Sequence, residues 1–258
     1  MCLIVLAYRH HPDFPLVFAA NRDEFYDRPA APAAFWDDAP DLLAGRDLRA
    51  GGTWCGLTRA GRFGAVTNYR DLRRRVEGGP SRGRLVPAFL QGTQAPPEFL
   101  EELAAESASY DGFNLLVGDR ASVGYYSNRE GKVRLLGPGV YGLSNHLLDT
   151  PWPKVERARE AMTALLAEGP PELDPLFALL ADDQRAPDEA LPDTGVGHAM
   201  ERMLSSVFIT SPGYGTRAST VFWVDRDGHA TFAERTFSGA AGAPVTRRFD
   251  FAVEPAAV

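Results

Sequence analysis

The chain has 258 residues, 45% hydrophobic and 24% charged, which are ordinary values for a globular protein. Its net charge of -7 argues against a nucleic-acid partner, because phosphates require a basic surface. No stretch approaches the roughly 20 apolar residues of a membrane span, and the short apolar start lacks the features of a signal peptide. With two cysteines, Cys2 and Cys55, we expect no disulfide and a reducing, cytoplasmic location.

The first predicted strand covers Met1 to Ala7, and both of its faces are apolar, so we expect it to be buried on both sides. Cys2 becomes the amino terminus if Met1 is removed, and the small side chain of Cys2 favours this removal. One residue then carries a thiol and an amine with unperturbed pKa values of roughly 8.5 and 7.7 to 8.0. The amine can act as the base for its own thiol. A cysteine here is also compatible with a packed structural thiol.

The second predicted strand starts at Leu16, and its apolar run breaks into four polar residues, Asn21-Arg22-Asp23-Glu24. A guanidinium and carboxylates beside a thiol would hold it as thiolate and orient the amine. Asp23 can equally pair with Arg22 or cap a turn.

The segment from Asp27 to Arg49 is rich in Ala, Pro and Asp, which predicts a long surface loop. The segments from Gly51 to Leu57 and from Phe63 to Asn68 predict a hairpin, whose paired glycines indicate close backbone approach. Six arginines follow, and they are interpreted as a solvated loop or, alternatively, as a clamp for carboxylates or phosphates. These are Arg70, Arg73, Arg74, Arg75, Arg82 and Arg84.

The rest of the chain predicts helices and then closing strands, typical of a single α+β domain over residues 1–258. Two predicted helices start near Ser81 and near Pro96. Two more cover Pro153 to Glu168 and Leu173 to Leu180, and Lys154 falls outside the apolar stripe of the first of these two. The predicted strands are Phe113 to Val117, Val123 to Ser127, Val133 to Leu136, Ser205 to Thr210, Ser219 to Val224 and His229 to Ala233. Beyond Ala240 the tail has little pattern and is expected to dock loosely.

Several motifs together resemble the NRDE family, which includes the transport and Golgi organisation 2 proteins. They are Met1 to Ile4, Asn21 to Glu24, Gly51 to Trp54, Thr67 to Arg70, Gly142 to Asn145 and Trp152 to Lys154. The resemblance implies the four-layer αββα fold of N-terminal nucleophile hydrolases. It also implies haem handling rather than a settled reaction, with no cofactor required and haem as a candidate ligand.

A more distant likeness is to the choloylglycine hydrolase branch of that fold, which comprises amidases with Cys at position 2. It implies a catalytic set of Cys2, Arg22, Asp23, Asn68, Asn145 and Arg217. That branch places its first Arg three residues before the Asp, where this chain has Ala20, and Arg22 would take its place from the same strand face. Each asparagine is equally compatible with a turn position, and Arg217 with a surface charge.

Two functions are therefore predicted, with a scaffold that lost its chemistry as a third. The first is binding or trafficking of haem or a similar amphipathic metabolite, and the second is Cys2-dependent hydrolysis of an amide. The residues assigned to ligand binding are Asn21, Glu24, Trp54, Arg70, Arg73 and His146. Five histidines, including His146, are candidate iron ligands, but none has metal-site spacing, so no resident metal is predicted. The oligomeric state is left open.

Overall fold

The computed structural model describes residues 2–74, 76, 78–238 and 242–254, with residues 2 and 74 described by their backbone alone. Its strands form two antiparallel sheets. The first has the order β10-β1-β2-β11-β12-β13, and the second has the order β3-β4-β5-β6-β7-β8-β9. The first is built from β1 (Cys2–Tyr8), β2 (Leu16–Phe25), β10 (Gly139–Leu143), β11 (Tyr214–Val224), β12 (His229–Thr236) and β13 (Val245–Ala252). The second is built from β3 (Ala30–Trp36), β4 (Ala39–Asp47), β5 (Cys55–Thr58), β6 (Phe63–Asn68), β7 (Phe113–Gly118), β8 (Val123–Ser127) and β9 (Lys132–Leu135).

Helices cover the outer face of each sheet. They are α1 (Leu85–Leu90), α2 (Pro96–Glu106), α3 (Pro153–Glu168), α4 (Leu173–Leu180) and α5 (His198–Met203). α1 and α2 pack on the second sheet, while α3 and α4 pack on the first. The order of layers is therefore helix, sheet, sheet, helix, which confirms the predicted αββα arrangement. Among the described residues, no helix is both long enough and apolar enough to span a membrane.

Strand β1 is buried on both faces, as its sequence predicts. Ile4 and Leu6 lie in the core between the two sheets, and Leu3 and Val5 lie in the core beneath α3 and α4. The strand has paired neighbours on both sides, β2 and β10, so its backbone is also covered. Side chains on the two faces of this sheet therefore face different layers of the molecule.

Strand β2 brings the polar sequence from Asn21 to Glu24 to one end of the first sheet. In the β1–β2 pair Cys2 lies opposite Arg22, and in the β2–β11 pair Asp23 lies opposite Thr216. β11 has a bulge between Thr216 and Ala218 at this level. The end of β2 is thus flanked by strands from both ends of the chain.

Most predicted elements are confirmed, including the β5–β6 hairpin, the β7–β8–β9 meander and helices α1 to α4. Of the paired glycines, Gly52 packs closely as predicted, since a Cβ there would overlap the Gly83 carbonyl group, whereas a Cβ at Gly51 would meet no atom within 4 Å. Lys154 was predicted outside the apolar stripe of α3, and this is wrong, because only 2% of its surface is exposed.

The prediction of a surface loop from Asp27 to Arg49 is wrong, because this segment forms β3 and β4. β3 is the edge strand of its sheet, and its pairing with β4 is irregular between Ala31 and Ala34, around Pro32. Pro40 lies outside the part of β4 that pairs with β5. Prolines are tolerated at edges and bulges, so they did not exclude strands here.

The predictions for the last part of the chain need three corrections. The segment Ser205 to Thr210 is not a strand, and it contributes one isolated bridge from Thr210 to Gly215. The tail forms the edge strand β13, whose Phe249 and Phe251 pack against the inter-sheet core. Strand β10 and helix α5 were not predicted.

Candidate functional site

A cleft of about 340 Å³ opens at the end of β2. Its charged side chains form ion pairs with one another, including Arg28 Nη2 to Asp47 Oδ2 at 2.7 Å and Arg82 Nη1 to Asp111 Oδ2 at 3.6 Å. The charged lining residues are Arg22, Asp23, Glu24, Arg28, Asp47, Arg82 and Asp111, and the others include Thr53, Trp54 and Asn68. The cleft therefore suits polar and charged groups.

Arg22 is the buried cation of this cleft, with 6% of its side chain exposed. Its guanidinium carbon lies 4.4 Å from the centre of the Trp54 ring, within range of a cation–π interaction. One of its nitrogens, Nη2, lies 3.8 Å from Glu24 Oε2. The β1–β2 register pairs Arg22 with residue 2. Arg22 is thus held beside residue 2 by an aromatic ring and a carboxylate.

A second cavity of about 230 Å³, here called the inner cavity, shares Arg22 and Trp54 with the cleft. Its walls are mainly small and apolar, with Arg217 and Glu234 as further charged residues. The apolar lining residues are Ala30, Ala31, Pro32, Ala218, Phe237, Ala243 and Val245. The two cavities therefore differ in polarity, and Arg22 and Trp54 form part of the wall of both.

Glu234 is a buried carboxyl that the sequence analysis missed. Its Oε1 accepts a hydrogen bond from the Ala33 backbone N–H at 2.6 Å, and its Oε2 accepts one from Thr220 Oγ1 at 3.3 Å. Burial raises the pKa of Glu234 to about 7, and the hydrogen bonds and the charge of Arg22 oppose this increase. In the sequence, the signal for this buried carboxyl was a single Glu directly after the mostly apolar segment Ala230 to Ala233.

Asp23 lies at the cleft with 3% of its surface exposed. Its Oδ1 accepts a hydrogen bond from Thr216 Oγ1 at 2.7 Å, and its backbone carbonyl accepts one from the Tyr214 hydroxyl at 3.2 Å. Burial raises the pKa of Asp23, while the charges of Lys154 and Arg22 lower it. Because side chains alternate along β2, Asp23 belongs to the helix-facing side of the sheet and Arg22 to the other side.

Asn21, assigned from sequence to ligand binding, is engaged elsewhere in the structure. Its Nδ2 donates to the carbonyls of Leu180 at 2.8 Å and Val207 at 2.9 Å, and its Oδ1 accepts from Ser219 Oγ at 2.6 Å. Its surface is 1% exposed. This amide ties β2 to α4, to the 205–209 segment and to β11, so the geometry gives it a structural role.

The two asparagines assigned to catalysis lie together but differ in access to the cleft. Asn68 is exposed and lines the cleft, whereas Asn145 is fully buried. The Asn145 Nδ2 donates to the Asn68 backbone carbonyl at 2.8 Å. Asn68 is therefore the one whose side chain can meet a ligand, and Asn145 supports its backbone.

Arg217 lies at the β11 bulge and borders the inner cavity rather than the cleft. Its Nη1 donates to the backbone carbonyls of Phe25, Tyr26 and Arg28 at 2.8, 3.0 and 3.1 Å. These contacts fix the chain between β2 and β3. Arg217 thus shares the inner cavity with Arg22 but does not line the cleft with Asn68.

The remaining predicted ligand-binding residues, other than Glu24 and Trp54, do not line either cavity. Arg70 is buried, stacks on Trp152 and pairs with Glu201 at 3.0 Å. Arg73 is 71% exposed and pairs with Asp71. Of the predicted arginine cluster, Arg82 lines the cleft, while Arg75 and the Arg74 side chain lie outside the described part.

His146 packs against Tyr69 and Trp152, and its Nδ1 lies 2.8 Å from Thr150 Oγ1. Burial lowers its pKa, and the charge of Arg70 adds to this effect. No histidine occurs among the described residues that line the cleft or the inner cavity. His146 is thus not placed to bind iron in either cavity.

One group of described side chains has the spacing of a cation site. The ligand atoms of Asp225, Asp227 and His229 lie within 4.8 Å of one another, at the exposed β11–β12 turn. Val224 pairs with Leu16 here, so this turn is at the opposite end of β2 from the cleft. It has no connection with the candidate site. The Cys2 thiol, central to the predicted chemistry, lies outside what the structure describes.

A family model described as Transport and Golgi organisation 2 matches residues 1–239. The chain belongs to this family. Two relatives in it are homologues of Transport and Golgi organization protein 2. The Bos taurus protein is 39% identical over 269 residues, covering 93% of this chain and 94% of the relative. The human protein is 38% identical over 261 residues, covering 92% and 93%.

The fold of this family member matches a solved structure of a mutant conjugated bile acid hydrolase from Clostridium perfringens. The TM-score is 0.51 at 9% identity, covering 99% of this chain and 98% of that one. At this identity the likeness shows the fold alone. The predicted resemblances, to the family and to the N-terminal nucleophile hydrolase fold, are therefore confirmed.

Proposed function

We propose that the protein binds and carries an amphipathic metabolite with an anionic head group, haem being the first candidate. The observation that carries the proposal is the position of Arg22, which is buried and borders both the charged cleft and the apolar inner cavity. A guanidinium at such a boundary can pair with a carboxylate or phosphate while the apolar part of the ligand enters the inner cavity.

The sizes of the two cavities support this proposal. Ligand pockets usually measure roughly 300 to 1,000 Å³ and combine apolar walls with a few polar groups. The cleft of about 340 Å³ and the inner cavity of about 230 Å³ supply these two environments separately. The apolar walls belong to the inner cavity, and Arg22, Arg28 and Arg82 line the cleft.

A titration with ferric haem, followed by absorbance, tests the proposal. We expect Arg22→Gln to weaken binding about tenfold or more, because hydrogen bonds to charged groups contribute roughly 1.5 to 3 kcal/mol. Arg73→Gln is the matched control, since Arg73 is exposed and lines neither cavity. His146→Ala should also leave binding unchanged.

Two results would count against the proposal. If the protein leaves the absorbance spectrum of haem unchanged, haem is excluded as the ligand. A long-chain acyl-thioester nucleotide is then titrated as the second anionic amphiphile. Equal effects of Arg22→Gln and Arg73→Gln on either ligand would remove the cleft as the binding site.

The second candidate is a Cys2-dependent amidohydrolase. It is supported by the register that places residue 2 opposite Arg22, and by the buried carboxyl of Asp23, the residue that follows Arg22. In this scheme the α-amine takes the thiol proton, and the Cys2 thiolate attacks the amide carbonyl. The C–N bond then breaks as the α-amine gives this proton to the leaving amine, and water hydrolyses the resulting thioester to release the carboxylic acid and restore the thiol. Asn68, which lines the cleft, is the candidate oxyanion donor, whereas the Asn145 amide already donates to Asn68.

Intact mass and a thiol-directed inhibitor test this second candidate. Retention of Met1 would leave no free amine on Cys2 and would exclude the scheme. If Met1 is absent, acyl-amide hydrolysis should vanish in Cys2→Ser and fall on the order of a hundredfold in Asn68→Ala. Hydrolysis that survives in Cys2→Ser would also refute it.

A further inference from the structure

Lys154 is a buried basic residue in a chain whose other basic residues are almost all arginines. Of 27 basic residues two are lysines, Lys132 and Lys154. Lys132 is exposed, whereas Lys154 is 2% exposed. Lysine carries its charge on a compact ammonium group, and arginine cannot reproduce this geometry at a confined site. Lys154 is therefore the lysine that places an ammonium group in the interior.

The position of Lys154 makes its charge costly. Burial disfavours the charged form of lysine, and Lys154 is in the first turn of α3, directly after Pro153. The amino-terminal end of a helix carries partial positive charge, which also disfavours a cation. The charge of Lys154 must therefore be stabilised by nearby acceptors.

The segment from Leu204 to Ile209 connects Lys154 to the end of β2. Lys154 Nζ donates to the Leu204 carbonyl at 2.8 Å. Three residues on, the Val207 carbonyl accepts from Asn21, and the Ile209 N–H donates to Thr216 Oγ1 at 3.0 Å. The same Thr216 hydroxyl donates to Asp23 Oδ1 at 2.7 Å. Lys154 and Asp23 thus share one buried layer on the helix side of the first sheet.

We propose that Lys154 is a positioning residue of the candidate site, whose ammonium group stabilises the negative charge of Asp23 from the helix side of the sheet. Asp23 borders the cleft, so the charge of Lys154 acts on the ligand site through that carboxylate. The charge of Lys154 lowers the pKa of Asp23, whereas burial raises it. Among the described residues, the other ionisable groups acting with Asp23 are Arg22 and Tyr26.

This inference concerns the same cleft as the proposed function, and its role in binding rests on that function. The charge coupling itself can be measured without any ligand. A failure of haem to bind would therefore leave the coupling intact, whereas a failure of the coupling would leave the proposed ligand site intact.

Titration of the two lysines by NMR tests the coupling in the full chain. With ¹³C-labelled lysine the protein gives two side-chain ε-carbon signals, and Lys132 provides the internal control. We expect Asp23→Asn to lower the pKa of Lys154 by about one unit or more and to leave Lys132 unchanged. Asp23→Asn keeps the oxygen that accepts from Thr216, so the variant is expected to fold. An unchanged Lys154 titration would overturn the proposal.

A double-mutant cycle supplies the second measurement. Lys154→Met, Asp23→Asn and the double variant are compared in urea unfolding, with Lys132→Met as the control. We expect the two substitutions to be non-additive by about tenfold or more in the unfolding equilibrium constant. Additive effects would refute a direct charge interaction. If Lys154→Met does not fold, the lysine titration in Asp23→Asn decides the question.

The effect on the cleft is measured by ferric haem titration of Lys154→Met and Lys132→Met across pH 5 to 8. We expect Lys154→Met to protonate Asp23 at a higher pH than the wild type does, and to lose affinity for the anionic ligand as pH rises, because Asp23 then adds a negative charge that no lysine balances. Equal profiles for the two variants would limit Lys154 to folding and would overturn its role at the site.

Discussion

Arg22 and Asp23 are adjacent in sequence but lie on opposite faces of β2. Arg22 stacks on Trp54 between the sheets, and Asp23 lies on the helix side, where its carboxylate accepts a hydrogen bond from Thr216. Both nevertheless line the cleft, because β2 ends there. A short polar sequence at the end of a buried strand can thus supply a ligand site with groups from two layers.

Asn21 has a structural role, whereas Asn68 faces the cleft, and substitutions at the two positions should therefore affect stability differently. Asn21→Ala would leave the carbonyls of Leu180 and Val207 without their buried donor, and we expect a loss of roughly 3 kcal/mol. Asn68→Ala, at an exposed position, should change stability by less than about 0.5 kcal/mol. Urea unfolding of both variants measures the difference. Equal losses would contradict this division of roles.

Glu234 makes stability depend on pH in a predictable direction. Its pKa of about 7 in the folded state exceeds its ordinary value of 4.5. The folded state therefore holds more protons than the unfolded state between these values, and stability falls as pH rises through this window. The loss approaches roughly 3 kcal/mol above pH 7.

We expect Glu234→Gln to remove this contribution, because glutamine keeps a carbonyl for the Ala33 N–H and does not titrate. Urea unfolding at pH 5 and pH 8 should show a smaller decrease in the variant than in the wild type. The same pH dependence in both proteins would show that Glu234 titrates normally in the fold.

At the scale of elements, strand β4 determines how closely Trp54 packs between the sheets. A Cβ at Gly45 would overlap the Trp54 ring and would lie 3.1 Å from Glu234 Oε2. The absence of a side chain at Gly45 therefore allows Trp54 and Glu234 to occupy the same layer. This explains a glycine within β4, at the point where the pairing of β4 with β3 is irregular.

Gly45→Ala should displace Trp54 and so disturb both cavities. We expect a destabilisation of roughly 1 to 3 kcal/mol, typical of overpacking, together with weaker ligand binding. Gly137→Ala is the matched control, since a Cβ there would meet no atom within 4 Å. Thermal unfolding and haem titration of both variants provide the measurement, and a wild-type result for Gly45→Ala would contradict the packing argument.

Element types were predictable where periodicity was strong, as in α3 with its stripe of Val155, Ala158 and Met162. They were not predictable where tertiary pairing overrides local signals. Pro32 lies at an irregular position of an edge strand, so it did not prevent β3. The charged tail forms β13 because β12 offers a free edge, a feature that the tail sequence itself does not contain.

At the scale of the whole molecule, the sequence predicted which polar residues gather at the end of β2, but not their surroundings. Arg22, Trp54 and Asn68 were identified by motif and do line the cleft. Glu234 was missed, and Lys154 was placed outside the apolar stripe of α3, because a charged residue next to an apolar run is expected to be exposed unless the facing layer is known. Arg70 was assigned to a ligand for the same reason, and its buried partner Glu201 lies about 130 residues away.

Strand β13 lies beyond the region that the family model matches, yet it completes the wall of the inner cavity. A chain ending at residue 242 would lose Phe249 and Phe251 from the inter-sheet core, and we expect it to be destabilised by roughly 3 kcal/mol. A chain ending at residue 254 is the control. Thermal unfolding compares them, and equal melting temperatures would show that β13 contributes little.

Strand β2 pairs with β11, and the hydrogen bond between Asp23 and Thr216 joins residues 193 positions apart. Contacts of such separation close very large loops and are slow to form. During synthesis Arg22 and Asp23 leave the ribosome long before the strand that buries them. A nascent chain therefore lacks the finished cleft, and any molecule that binds there can do so only when translation is nearly complete.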